Sequence, residues 1–235
     1  MKTSLTAVAV AVAFAASAGM ASAATYEYDF KAASEPSGIG ESAWTSFDTT
    51  TYFSGPGLTV TAEDTLSDGQ DYVYFDAGNA GIGVCGDVNN LDKVNTITES
   101  GSNLCAPSSD DGLTKTTEIL TFTAQDAMIV DAIYLNSNHD SGSIMDTVWE
   151  VIVNGVDTLT FDMNDFVAAS LSGTGDIMIS LGFTLEEQGY FTLRGTQGPN
   201  SYVSGLGVSA VPLPAGGLLL LAGLGGLAAM RRKRA

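Results

Sequence analysis

The chain has 235 residues, with 27 acidic against 9 basic side chains, a formal net charge of −18 and a hydrophobic content of 45%. That excess of negative charge excludes nucleic acid as a natural partner, because a phosphate backbone would be repelled. A single histidine, His139, removes the ordinary serine triad and a three-histidine zinc centre.

Lys2 supplies a basic start, Leu5 to Ala18 an apolar stretch rich in Ala and Val, and Ala21-Ser22-Ala23 an A-x-A cleavage site. That order predicts a secretory signal peptide over 1–23, removed on export so that the mature chain begins at Ala24. An uncleaved N-terminal anchor is the alternative. Residues 24–210 then read as one acidic domain of roughly 190 residues, long enough to bury a sizeable core. All the acidic residues fall there, whereas its basic residues are only Lys31, Lys93, Lys115 and Arg194. Solubility in a salty medium, cation binding and mutual repulsion would each account for such a charge.

Period-two alternation predicts strands at Tyr26 to Phe30, Leu58 to Ala62, Leu120 to Phe122 and Leu159 to Phe161. Further strand-like runs are Asp71 to Phe75, Met128 to Leu135, Thr147 to Val153, Ile177 to Phe183, Tyr190 to Arg194 and Tyr202 to Val208. Turn signals at Asp68-Gly69, Asn154-Gly155 and Gly198-Pro199-Asn200 separate them, and Asn154-Gly155 marks the clearest hairpin. Only Asn164 to Ser170 reads as a short helix. About ten strands with Gly-rich turns predict an all-β, two-layer antiparallel sandwich of jelly-roll type.

Cys85 and Cys105 enclose a polar loop rich in Asn, Asp and Ser. An even cysteine pair in an exported chain predicts a disulfide; a redox pair or metal site would need a CxxC spacing or companion histidines. Glu118 is the unusual member of its strand, since it shares a face with Leu120 and Phe122. A carboxylate there must lie at an exposed end, accept hydrogen bonds or ligate a cation. Calcium suits carboxylate and carbonyl oxygens, and Asp110 and Asp111 lie just before the strand. Asn136, Asn138 and Asp140 begin like an EF-hand loop, but Ser141 and Thr147 occupy the positions that need Gly and Glu. Asp87 to Leu91 departs from that pattern earlier still, and both segments read as polar loops.

Trp149 alternates with Val151 and Val153 and is expected in the core. Tyr72 and Tyr74 share one face, Val73 and Phe75 the other, so either pair is available as an aromatic platform; Trp44 sits in a Ser/Thr-rich stretch. No G-x-S-x-G elbow or phosphate-binding loop occurs, and acidic pairs are too abundant to indicate glycoside hydrolysis. The chain therefore reads as a non-enzyme.

At the C-terminus Val211-Pro212-Leu213-Pro214-Ala215 precedes an apolar run from Gly216 to Met230 and the basic tip Arg231-Arg232-Lys233-Arg234. The run is short of the roughly 20 residues a helix needs to cross a bilayer core, and it reaches that length only by including both prolines. It is suited to transient membrane residence, with a permanent anchor as the alternative; the basic tip stays cytoplasmic either way.

This 211–235 segment resembles the VPLPA variant of PEP-CTERM sorting signals. Gly81-Ile82-Gly83-Val84-Cys85 followed by Glu118-Ile119-Leu120-Thr121-Phe122 resembles a pattern common in PEP-CTERM substrate proteins. Asn95 to Thr98 departs from that pattern where many relatives carry an Ile-Asp pair. The resemblance implies an exosortase-type membrane protease as partner and a structural or adhesive role with exopolysaccharide at the cell surface or in the extracellular matrix. A calcium-dependent carbohydrate-binding module, held at the membrane by its C-terminal helix, is the alternative.

Overall fold

The alternation in sequence becomes alternation in burial. In the computed structural model, which describes residues 24–97, 103–107, 112–113, 117–136, 147–163, 176–197 and 201–211, every second side chain of Glu118–Ala124 is buried. Residues Thr25–Ala210 form one compact unit. Its first elements are β1 (Thr25–Asp29), the short helix α1 (Phe30–Ser34), β2 (Ser42–Trp44), β3 (Phe47–Asp48), β4 (Leu58–Asp64), β5 (Tyr72–Asp76) and β6 (Gly81–Cys85). Then follow β7 (Glu118–Ala124), β8 (Met128–Asn136), β9 (Val148–Val153), β10 (Asp157–Asp162), β11 (Ile177–Leu185), β12 (Tyr190–Gln197) and β13 (Tyr202–Ala210).

Two antiparallel sheets result. One runs β11-β8-β13-β6-β5-β2, with β1 added beside β13; the other runs β10-β9-β12-β7-β4-β3. From β6 onward the pairing is nested: β6 with β13, β7 with β12, β8 with β11, and β9 with β10. The β9–β10 hairpin lies at the centre of that nest. Its Asn154 and Gly155 have φ of 49° and 70°, the positive values a primed two-residue turn requires.

The apolar faces meet between the sheets. Phe47 of β3 lies 4.7 Å from Phe75 of β5, and Phe183 of β11 lies 5.5 Å from Phe191 of β12. Phe122 stacks on Phe191 at 4.7 Å with 5° between the ring planes. Trp149 is fully buried and donates its indole N–H to Thr147 Oγ1 at 3.0 Å, so its polar edge is satisfied inside the core.

Three local expectations need correction. Phe30 does not end the first strand. The Asp29 carboxylate accepts the Ala32 N–H at 2.8 Å and caps α1, which turns the chain out of the sheet and drops Phe30 into the core. Gly81–Cys85, which was not among the expected strands, is a strand with all five residues buried between β5 and β13. Gly81 has φ +128°, and a Cβ there would lie 2.3 Å from the Val203 carbonyl oxygen, so the approach to β13 requires glycine. Finally, neither face of β5 is a platform: Tyr72 and Tyr74 are buried with the cysteines, and Val73 and Phe75 are buried in the main core. The helix expected at 164–170 lies outside the described residues.

Burial of the Tyr28 phenol, whose hydroxyl donates to the Pro56 carbonyl, pushes its pKa up to about 12. Tyr74 is also raised, chiefly by burial. In the unfolded chain a tyrosine ionises near pH 10. Between pH 10 and about 12 the folded chain therefore holds protons that unfolding would release, and stability falls as pH rises. Urea denaturation is expected to give equal midpoints at pH 8 and 9 and a progressively lower one above pH 10. A flat midpoint through pH 12 would contradict this account of Tyr28 and Tyr74.

Candidate functional site

On the outer side of the β1–β13–β8 region, the register places Asp29, Gly205 and Tyr134 in line across three strands. Glu27, two residues before Asp29, stands on the same face, while Tyr28 between them points into the core. Gly205 forms the floor. A Cβ there would meet the Tyr28 carbonyl oxygen at 3.0 Å and Tyr134 Cδ2 at 3.3 Å, so the tyrosine ring lies directly over the glycine. The β13–β8 register shifts between Val203 and Gly205, which leaves Ser204 as an extra residue at a bulge.

The helix α1 and two neighbouring segments raise the walls of a groove of about 410 Å³. Lys31 Nζ lies 3.1 Å from Asp176 Oδ2, and Asn136 Nδ2 donates to Asp176 Oδ1 at 3.0 Å and to the Ala80 carbonyl at 2.7 Å. Glu35 accepts the Asn79 backbone N–H at 2.7 Å. These bonds fix the rim to three separate parts of the chain.

Four carboxylates and one ammonium line this groove. Lys31 offsets Asp176, which leaves the negative charges of Glu27, Asp29 and Glu35. Partial burial raises the Tyr134 phenol pKa, with the Glu27 carboxylate adding to the effect. At the floor, Ser204 is only 4% exposed and its Oγ has no hydrogen-bond partner among the described residues. The chemistry on offer is acceptance of hydrogen bonds and stabilisation of positive charge. No group of three His, Cys, Asp or Glu side chains among the described residues is arranged to hold a metal ion.

The residues singled out from sequence are distributed elsewhere. Cys85 and Cys105 form a disulfide with Cα atoms 5.8 Å apart, buried in a separate cluster with Tyr72, Tyr74, Val88 and Leu104. Tyr74 braces that cluster by donating to Glu41 at 2.9 Å and accepting the Leu104 N–H at 2.8 Å. Glu118 is 1% exposed, on the face of Leu120 and Phe122 as expected, and its register partner on β4 is Asp64. Asp110 and Asp111 lie outside the described residues. Asn136 is engaged in the Asp176 contact, and the remainder of its loop, with His139, is also outside them. Trp44 packs edge-on against Phe47 and Tyr52.

Val211 is exposed at the end of β13. Ala21, Ala23, Pro212 to Ala215 and the Arg231 to Arg234 tip lie outside the described residues. No described helix is long and apolar enough to cross a membrane. Sequence reasoning missed the groove itself. Its available signal was the Glu27-Tyr28-Asp29 alternation together with Gly205-Leu206-Gly207, two carboxylates and two glycines set to face the same way. No protein-family model matches the chain, and no curated protein matches it.

Proposed function

We propose that this chain is an exported cell-surface or extracellular-matrix protein with a structural or adhesive role in exopolysaccharide. In this reading the sandwich is of jelly-roll type, a description supported by the nested pairing of β6 to β9 with β13 to β10. The signal peptide over 1–23 delivers it. An exosortase-type protease processes it at Val211 to Ala215, while the short apolar span and basic tip hold the precursor in the membrane. The observation that carries the reading is the Cys85–Cys105 disulfide, which matches an oxidising compartment.

Intact mass of the protein recovered from the native cell surface or medium tests it. The expected species begins at Ala24, ends between Val211 and Ala215, and is lighter by two hydrogens than the dithiol. A species that retains Arg231 to Arg234 would replace processing with permanent anchoring, and a species with the leader intact would sink export.

The groove favours a second reading, a carbohydrate-binding module at the membrane. Calcium in that reading would be held by Glu118 with Asp110 and Asp111.

A further inference from the structure

We propose that the folded sandwich fixes where the C-terminal tail is removed: the cut falls at Pro214–Ala215 or Ala215–Gly216, and the bonds nearer the domain are shielded. This rests on the processing reading above and names its scissile bond. The observation that carries it is the end of β13. Ser209 is paired with Thr25 on one side and Ile129 on the other, and Ala210 with Met128, so the ladder runs to the last residue of the strand. Tyr202 to Ser209 are all buried, Ala210 is half-buried, and Val211 is 36% exposed. No linker separates the strand from Val211-Pro212-Leu213-Pro214-Ala215. Because β13 is the last strand of the chain, amino-to-carboxyl export places the whole sandwich outside before the tail arrives, and the protease meets a folded domain.

A protease holds its substrate extended in a cleft by strand-like pairing. The wall of that cleft is at least one helix or sheet layer, about 10 Å thick, so the reacting bond must stand at least that far from the sandwich. Val211 and Pro212 together reach roughly 7 Å beyond β13, which leaves Pro212–Leu213 too close. Val211 to Pro214 reach roughly 13–14 Å, and Pro214–Ala215 clears the wall. Leu213–Pro214 lies between these, but it ends on a proline nitrogen, which has no N–H to pair in the cleft. A cut at Val211–Pro212 or Pro212–Leu213 would require Val208 to Ala210 to leave the sheet. That unpairs them from Val130, Ile129 and Met128 on β8 and from Tyr26 and Thr25 on β1, and it exposes Val208. Downstream, Gly216 already opens the apolar run. In the cut itself the oxygen of water bonds to the carbonyl carbon, the C–N bond breaks and a proton passes to the departing amine. Pro214 or Ala215 is left as a carboxylate.

The test is the C-terminal residue of the protein recovered from the native cell surface or medium, read from intact mass. An end at Pro214 or Ala215 is expected. An end at Val211, Pro212 or Leu213 would overturn the shielding and leave the processing reading in place, whereas a tail retained through Ala235 would overturn both. A pair of variants separates spacing from motif. Val211→Ala and deletion of Val211 both leave Ala-Pro-Leu-Pro-Ala as the motif, but in the deletion it stands one residue nearer β13. The deletion must open Ala210 from Met128 to regain its clearance, so its tail is expected to be removed about fivefold more slowly than that of Val211→Ala, the factor for one opened ladder hydrogen bond. Equal rates for the two would overturn the proposal.

Discussion

Phe122→Ala is expected to cost about 3–5 kcal/mol, the range for removing a fully buried phenylalanine from a close-packed core. Phe122 occupies the middle of its sheet, with Val60 as register partner on β4 and Phe191 on β12. Its ring stacks on Phe191 of the neighbouring strand and faces Phe30 of α1 at 6.5 Å, so truncation strips contacts from its own sheet and from the helix. Domains of this kind are stable by about 5–15 kcal/mol, so the loss is a large fraction of the whole. Phe122→Leu keeps most of the volume and is expected to cost less than half as much. Urea denaturation of the two variants measures the difference. A loss below about 1 kcal/mol for the alanine would mean that the layers close over the gap, contrary to the packing described here.

Removing the disulfide by Cys85→Ala with Cys105→Ala is expected to cost about 3 kcal/mol in oxidising buffer, from the entropy of a loop with sequence separation 20. The loop has little burial of its own to compensate. Leu91 is 69% exposed and Ile97 is exposed too, while Val88 and Leu104 reach the interior only in the small cluster around the cysteines. Leu104 donates its N–H to Tyr74 in the same cluster, so loosening the loop also releases that hydrogen bond. Reductant is expected to bring wild type down to the level of the variant and leave the variant unmoved. Equal stability of the two proteins before reduction would remove the cross-link from the account of the fold.

Much of the framework was legible along the chain. Strands such as Leu58–Asp64 and Met128–Asn136 announce themselves because one face is buried and the other is not, which writes the period of the strand into the residues. The Asn154-Gly155 hairpin was legible because a positive φ at two successive positions restricts residue choice. The strand Gly81–Cys85 was not, since it is buried on both faces and two of its five residues are glycine, so no polar residue alternates with its apolar ones. Nor was α1, whose five residues are too few to show a helical period and which exists because Asp29 caps it and Phe30 is drawn into the core.

Sequence by itself determined the class of fold, the acidic surface and the cysteine pair, because each rests on residue type and local spacing. It also set the expectation of export and sorting, which depends on a linear order of basic, apolar and proline-containing segments. Only the tertiary structure decided that Tyr72 and Tyr74 are buried, that Glu118 is fully buried with Asp64 as its register partner, and that Glu27, Asp29, Lys31, Tyr134, Asp176 and Ser204 line one groove. Those residues come from β1, α1, β8, β13 and the position just before β11, and no local pattern relates them. They meet because β13 pairs with both β8, 66 to 82 residues earlier in the chain, and β1, 176 to 184 residues earlier. Long-range pairing of this kind depends on which sheet edges are free and which faces must be covered, and that is a property of the assembled layers.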